Sequence, residues 1–392
     1  MPYDFDKLTD RKNTNSLKYD FAKERGKKED LIPMWVADMD FPTLPEITTA
    51  LVKAADHGIF GYTEVKEEYF RVLHEWFLSH YRWDIARKWL IKTPGVVFAI
   101  AMAIRAFTKE GDGVLIQRPV YYPFSEAILD NNRRLINNAA VYENGSYHID
   151  FDDFEQKITD NQVKLFVLCN PHNPIGRVYT KEELIRLGDI CVKHDVLVVS
   201  DEIHADFIHP GHEHLVFASI KEEYASRTIT CTAPSKTFNL AGLQVSNVLI
   251  PNQALKYKFK EEINKTGYSQ LNTMGLIACQ AAYEYGDKWL AELNAYIYDN
   301  IRTAKQFIET EIPALKVIDT QGTYLLWVDF RALGMETGEL ENFIAEEAGL
   351  WLDGGTMFGP EGKGFERFNV ACPRATLLKA LNQLRDAVIS LE

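Results

Sequence analysis

Five side chains in this sequence are of types that could act together on a small molecule: Tyr121, Asn173, Asp201, His204 and Lys236. Each stands at or just after the end of an apolar, β-rich run, the runs being 114–117, 164–169, 196–200 and 228–232. In open α/β sheets the carboxyl ends of the strands converge on one crevice, where ligands collect. A lysine in a polar loop is ordinarily a surface group. Lys236, however, lies in Ala233-Pro-Ser-Lys-Thr-Phe-Asn-Leu-Ala-Gly-Leu-Gln244, directly after such a run. A carboxylate such as Asp201 at the end of a buried strand is costly without a cation. Lys236 could be that cation, giving a structural ion pair. The alternative is that Asp201 faces a protonated ring nitrogen and Lys236 carries an imine, the pair that pyridoxal phosphate chemistry needs.

These residues must be positioned by a fold of some size. At 392 residues the chain exceeds the length at which one core keeps growing, which predicts two domains. The sequence is 46% hydrophobic and 25% charged, the balance of a globular protein. A net charge of −13 at pH 7 argues against nucleic acid or an anionic membrane as the main partner. Cys169, Cys191, Cys231, Cys279 and Cys372 are odd in number and scattered, so they read as core residues rather than disulfide partners. The opening residues lack the basic and apolar regions of a signal peptide, and the longest apolar run, 96–104, is too short to span a bilayer. The expectation is a cytoplasmic protein.

Residues 1–30 read as an irregular arm. Pro45–His57 reads as a helix stopped by Gly58. Tyr62 falls on a loop, and the spacing of apolar residues predicts a helix over 65–81. Gly95 opens an Ala-rich helix, whose free N–H groups and dipole suit a phosphate. Thr180 and Glu183 form a capping box for a helix over 180–194. Further strands are expected at 245–250, 323–329 and 365–372. Helices are expected at 271–286, 288–311, 337–349 and from 373 to the end, and a glycine-rich loop between 354 and 364. Alternation of strand and helix predicts a doubly wound α/β domain followed by an α+β unit.

Four segments carry a family resemblance: Asn170-Pro-His-Asn-Pro-Ile-Gly176, Ser200-Asp-Glu-Ile-His204, Ser235-Lys-Thr-Phe-Asn-Leu-Ala-Gly-Leu243 and Arg367-Phe-Asn-Val-Ala-Cys-Pro-Arg374. In their order and spacing the chain resembles the fold type I pyridoxal-phosphate enzymes of the aspartate aminotransferase superfamily. With Met34-Trp-Val-Ala-Asp-Met-Asp-Phe41 added, it resembles the cystathionine β-lyase or cysteine C–S lyase branch. Most plain aminotransferases of the superfamily have a tyrosine where this sequence has His204. The resemblance implies an aminotransferase-like α/β fold: a large domain with a mostly parallel sheet flanked by helices, at 46–287, and a smaller α+β domain at 288–392. Residues 1–45 would form an arm and part of the small domain.

The resemblance also implies roles. Lys236 would be the Schiff-base lysine, Asp201 the partner of the pyridine nitrogen, and Tyr121 the ring stacked on the cofactor. Asn173 and His204 would complete the ring contacts. The phosphate would sit on the backbone of Gly95, Val96 and Val97, with the hydroxyls of Ser235 and Thr232. Ala233 stands where many relatives carry a serine, so one usual phosphate hydroxyl is missing. Tyr62 would reach the phosphate from the other subunit of a homodimer. Arg374, with Asn173 and Ala37, would bind the substrate, the arginine gripping its α-carboxylate. Trp35, Tyr121, Tyr122 and Phe358 are expected to make an apolar pocket. His209, His212 and His214 read as a solvated loop, and no metal is expected.

The implied reaction is α,β-elimination of L-cystathionine, L-cysteine or related thioethers to a thiol, pyruvate and ammonia. The same residues serve transamination, so the residues alone leave an aminotransferase open. A cofactor-binding regulatory protein without turnover is the alternative of another class.

Overall fold

The computed structural model describes residues 3–391; Met1, Pro2 and Glu392, the last of which falls within the expected closing helix, lie outside them. The centre is a seven-stranded sheet in the order Leu90–Thr93, Ser246–Leu249, Thr228–Thr232, Leu197–Asp201, Leu165–Cys169, Gly113–Ile116, Arg134–Asn137. The last five run parallel, and Ser246–Leu249 is antiparallel to both its neighbours. Gly113–Ile116 and Leu165–Cys169 are buried along their whole length, as continuous apolar strands covered on both faces should be, and Thr228–Thr232 is equally buried although three of its residues are threonines. The edge strands Leu90–Thr93 and Arg134–Asn137, with polar and charged residues among few apolar ones, carry too weak a signal to be read from sequence.

Helices flank this sheet on both faces. Val96–Phe107 packs over the strand ends with Ala99, Ile100, Ala103 and Ile104 fully buried. Pro45–His57 stops at Gly58, whose φ of 74° is left-handed and suits a residue without Cβ. Lys181–Lys193 begins at the Thr180–Glu183 capping box. Among the described residues no helix is long and apolar enough to cross a membrane.

A second, antiparallel sheet pairs Lys316–Val317, Leu325–Asp329, Phe365–Asn369 and Asp353–Gly354. The helix Asp287–Glu311 presents Trp289, Leu293, Ile297, Ile301, Ala304 and Ile308 on one buried stripe. The expected strand over 365–372 ends at Asn369, where the chain turns through 370–373 into Arg374–Ile389.

The amino-terminal arm is irregular but firmly held. Ile32–Pro33 pairs with Leu350–Trp351. Arg11 pairs with Asp38 at 2.7 Å and with Asp40 at 2.7 Å, and the fully buried Lys18 amine meets Asp40 at 3.0 Å. Two asparagines then fasten the segment from Val36 to Phe41. Asn369 Nδ2 donates to the carbonyls of Val36 and Asp38, both at 2.6 Å. Asn239 accepts from Met39 N–H and donates to the Met39 and Phe41 carbonyls. Asn369→Ala, which leaves two part-buried carbonyls without donors, should cost about 2 kcal/mol of stability. Urea unfolding measures this, and a loss below about 0.5 kcal/mol would show that the segment is held by other means.

Candidate active site

Parallel strands leave their carboxyl ends on one edge of the sheet, and three hydrogen bonds continue the ladder past those ends. Asn170 N–H donates to Asp201 O at 3.0 Å, Glu202 N–H to Cys231 O at 2.9 Å, and Tyr121 N–H to Asn173 O at 3.0 Å. The loops bearing the polar residues are thereby fixed to one another. They enclose a cavity of about 160 Å³. Tyr121, Asn173, Asp201 and His204 line it from the strand ends. Gly95, Val96 and Val97 line it from the first turn of Val96–Phe107, and Ser235, Lys236 and Ala37 close it. A second hollow of about 600 Å³ shares Ala37, Lys236 and Ala241 with it.

The lysine is aimed by its neighbours. Asp206, just beyond the Asp201 strand, accepts from Tyr81 OH, Thr237 Oγ1 and, at 3.2 Å, Trp76 Nε1, so the turn carrying Lys236 is tied to that strand's exit. Lys236 Nζ donates to the Ala37 carbonyl at 2.7 Å. Burial first and the Arg367 guanidinium second pull the amine down to about 8, against the pull of Asp38 and Asp201. Burial pushes the Asp201 carboxyl up to about 7, although Ile203 N–H donates to it at 3.1 Å. Burial, then Lys236 and Arg367, keep the His204 ring neutral, and its Nδ1 is buried without a partner.

An amine and a carboxyl with such values, in a cavity that ends on a helix N-terminus, can receive a small molecule bearing both a phosphate and a basic ring. The sequence matches the family model for aminotransferase class I and II over residues 29–384. The chain belongs to that family. It is 42% identical to cystathionine β-lyase PatB of Bacillus subtilis (strain 168) over 98% of this chain and 99% of the relative. Among solved structures it is similar to cystalysin from Treponema denticola, which contains a pyridoxal 5′-phosphate cofactor: TM-score 0.97, 42% identity, covering 100% of both chains. It is also similar to the PLP-bound C–S lyase from Staphylococcus hominis, with TM-score 0.92, 34% identity and coverage of 99% and 98%.

The family's fold does not bring every expected residue to the cavity. Arg374 opens the last helix, and all its guanidinium nitrogens are taken: Nε by Asn300 and Nη1 by Thr303, each at 2.7 Å, and Nη2 by Asp299 at 2.6 Å. The arginine that touches a cavity-lining residue is Arg367, buried on the strand Phe365–Asn369 directly behind Asn173. Its Nη1 donates to Asn173 Oδ1 and its Nη2 to Trp35 O, both at 2.9 Å, and it pairs with Asp353. Its Nε is buried without a partner. Strand alternation could have found it: Arg367 and Asn369 share a face, and Arg374 lies beyond the turn.

Thr232 does not line the cavity; its hydroxyl donates to Asn247 O at 3.0 Å on the next strand. Of the four expected pocket aromatics only Tyr121 lines it. Trp35 stacks on Trp351 with centroids 4.3 Å apart, Phe358 lies under the Arg367 guanidinium, and Tyr122 is part-exposed. Tyr62 is 99% exposed on its loop. The three histidines are not a solvated cluster. His209 is buried between the Thr320 and Thr323 carbonyls, and His214 is buried against Glu202 at 3.0 Å. Only His212 is exposed.

The raised Asp201 value has a thermodynamic consequence for the cofactor-free protein. A carboxyl at about 7 when folded, against about 3.9 unfolded, favours folding only while protonated. Stability should therefore fall as pH rises from about 4 through 7. Without cofactor, Asp201→Asn should gain about 2 kcal/mol on wild type between pH 5 and pH 8. Urea titrations at the two pH values check this, and an advantage independent of pH would mean that Asp201 is already ionised.

Proposed function

We propose that the protein is a pyridoxal-phosphate-dependent β C–S lyase acting on L-cystathionine, L-cysteine and related thioethers. The observation that carries this reading is the convergence of Lys236, Asp201 and a helix N-terminus on one cavity, in a chain whose relatives are named cystathionine β-lyase and C–S lyase. The residues fit the cofactor. Gly95 has open space where a Cβ would stand, at the end of the cavity suited to a phosphate. Asp201 is buried with no cation in hydrogen-bond contact among the described residues, as a site awaiting a protonated ring nitrogen would be.

When bound, pyridoxal phosphate supplies a ring that draws electron density from the Cα of the amino acid joined to it. The first turn of Val96–Phe107 and Ser235 would hold its phosphate. Asp201 would keep the ring nitrogen protonated, because a cation opposite it would reverse the upward push of burial and ionise the carboxyl. Tyr121 would cover the ring face, and Asn173, whose Nδ2 has no partner among the described residues, would reach the ring oxygen. Lys236 Nζ takes the Cα proton. Its lowered value leaves a useful neutral fraction near neutral pH. Arg367, in place of Arg374, holds the α-carboxylate. The Cβ–S bond would then break with its electron pair on sulfur, the sulfur would leave as a thiol after taking up a proton, and one water would hydrolyse the remaining dehydroamino acid to pyruvate and ammonia.

The protein works as a homodimer on this reading, with Tyr62 reaching the partner's phosphate site. Tyr62 and its neighbours Ile59 and Phe60 put three large apolar side chains into solvent on one loop, which favours burial against another chain. The chain divides into residues 1–45, 46–287 and 288–392, the last two each centred on its own sheet. Its five cysteines are all free and buried, which suits the cytoplasm.

Incubation with L-cystathionine should yield pyruvate and a free thiol without any 2-oxo acid; strict dependence on a 2-oxo acid would make it an aminotransferase instead. Arg367→Lys should raise KM for L-cystathionine about tenfold or more. Arg374→Lys should leave KM unchanged and lower thermal stability, and the reverse pattern would restore Arg374 to the substrate. Inactive Lys236→Ala and Tyr62→Ala chains should regain activity when refolded together. No recovery would leave each site complete within one chain.

A further inference from the structure

The Ala37 carbonyl accepts two hydrogen bonds, from Lys236 Nζ at 2.7 Å and from Tyr324 OH at 3.0 Å. A carbonyl oxygen has two lone pairs, so both are used. The carbonyls on either side, of Val36 and Asp38, are gripped by Asn369, and those of Met39 and Phe41 by Asn239. Ala37 alone in this stretch depends on the lysine and on Tyr324. On the reading given above, Lys236 spends part of each turnover joined to the cofactor, and then Tyr324 is the remaining donor.

Tyr324 is mounted with unusual firmness. It is fully buried, its ring meeting Phe207 edge-on with centroids 4.8 Å apart and His204 at 5.9 Å. The preceding Thr323 has φ of +71°, a left-handed conformation that a β-branched side chain adopts only under constraint. The constraint is visible. His209 is wedged between the Thr320 and Thr323 carbonyls, at 2.9 and 2.8 Å, and Thr323 N–H donates to Phe207 O at 2.8 Å. Thr323 Oγ1 accepts from Leu325 N–H at 3.1 Å, closing the turn on the far side. Strain of this kind persists where the surroundings over-determine the backbone, and such places cluster at working sites.

We propose that Tyr324 is a positioning residue for Lys236: its hydroxyl fixes the Ala37 carbonyl as the place where the lysine amine rests whenever it is not joined to the cofactor. The turn clamped by His209 is the mount that holds Tyr324 there. This gives His209 a task that neither a metal nor a solvated loop would.

The test uses Tyr324→Phe, which keeps the ring packing and removes only the donor. The full-length protein is cleared of cofactor with hydroxylamine and mixed with pyridoxal phosphate. Binding is followed by tryptophan fluorescence, and bond formation to Lys236 by growth of the visible absorbance band. The variant should bind the cofactor as tightly as wild type but develop the band about tenfold more slowly. With limiting L-cysteine, the resting band should return more slowly by a similar factor, while KM is unchanged. A band that forms at the wild-type rate in folded Tyr324→Phe overturns the inference and leaves the lysine's own role intact. No band in wild type overturns both. Should Tyr324→Phe not fold, His209→Asn tests the same idea with the hydroxyl in place: a slower band supports the mount, and an unchanged rate overturns it.

Discussion

An amine taken out of water beside a carboxyl, with a backbone carbonyl as its direct acceptor, is the constraint around which the rest of the molecule is arranged. Neither Lys236 nor Asp201 is comfortable in the cofactor-free protein. Burial moves the amine down to about 8 and the carboxyl up to about 7, so near neutral pH each is partly stripped of its usual charge. Their mutual attraction is too weak to restore either one, and Arg367 adds a further positive charge that disfavours the protonated amine. A simple structural ion pair would show the opposite pattern, with both groups pushed toward their charged forms. The site is poised for a ligand that brings a cation to Asp201 and an electrophile to Lys236.

Holding that arrangement requires contributions from distant parts of the chain. The sheet supplies Asp201 and the turn at Lys236, which Asp206 ties together. The amino-terminal arm supplies Ala37, and it is made rigid by ion pairs from Arg11 and Lys18 and by asparagines from two other segments. The second sheet supplies Arg367, and the turn leading into its strand Leu325–Asp329 supplies Tyr324. Three regions far apart in sequence therefore meet at one amine. Hydrogen bonds to backbone carbonyls fasten residues 36–41, a stretch that lies outside any strand.

The large features of this arrangement were legible in the sequence because they rest on periodicity and on local chemistry. The helix Pro45–His57 with its Gly58 stop, the Thr180–Glu183 capping box and the strand Thr228–Thr232 follow from residues next to one another. The convergence of Tyr121, Asn173, Asp201, His204 and Lys236 follows from a general property of parallel sheets. Three things did not follow. Arg367 and Arg374 stand in one motif, and strand alternation separates them only once the end of the strand is fixed, the least readable feature of any element. Thr232 is a strand residue whose hydroxyl direction depends on pairing with a strand that comes later in the chain. The third is the part Ala37 plays: the resemblance places it at the substrate, but its hydrogen bond to the lysine is made by its carbonyl and leaves no mark in its side chain. Tyr324 shares this obscurity, because its position comes from a strained threonine and a histidine more than 100 residues earlier.

On the proposed reading, elimination and transamination both begin with the Cα proton on Lys236 Nζ, and they would part in what that nitrogen does next. Transamination would return the proton to carbon, whereas elimination would leave it for the departing sulfur. An ammonium is held more strongly by a buried carbonyl than a neutral amine is, since hydrogen bonds from ionised donors are roughly twice as strong as neutral ones. The Ala37 carbonyl, 2.7 Å from Lys236 Nζ and also hydrogen-bonded by Tyr324 OH, is the acceptor that holds this nitrogen in place. An ammonium has three donors, so the contact leaves two of them free toward the cavity, and the groups around the amine serve both routes alike.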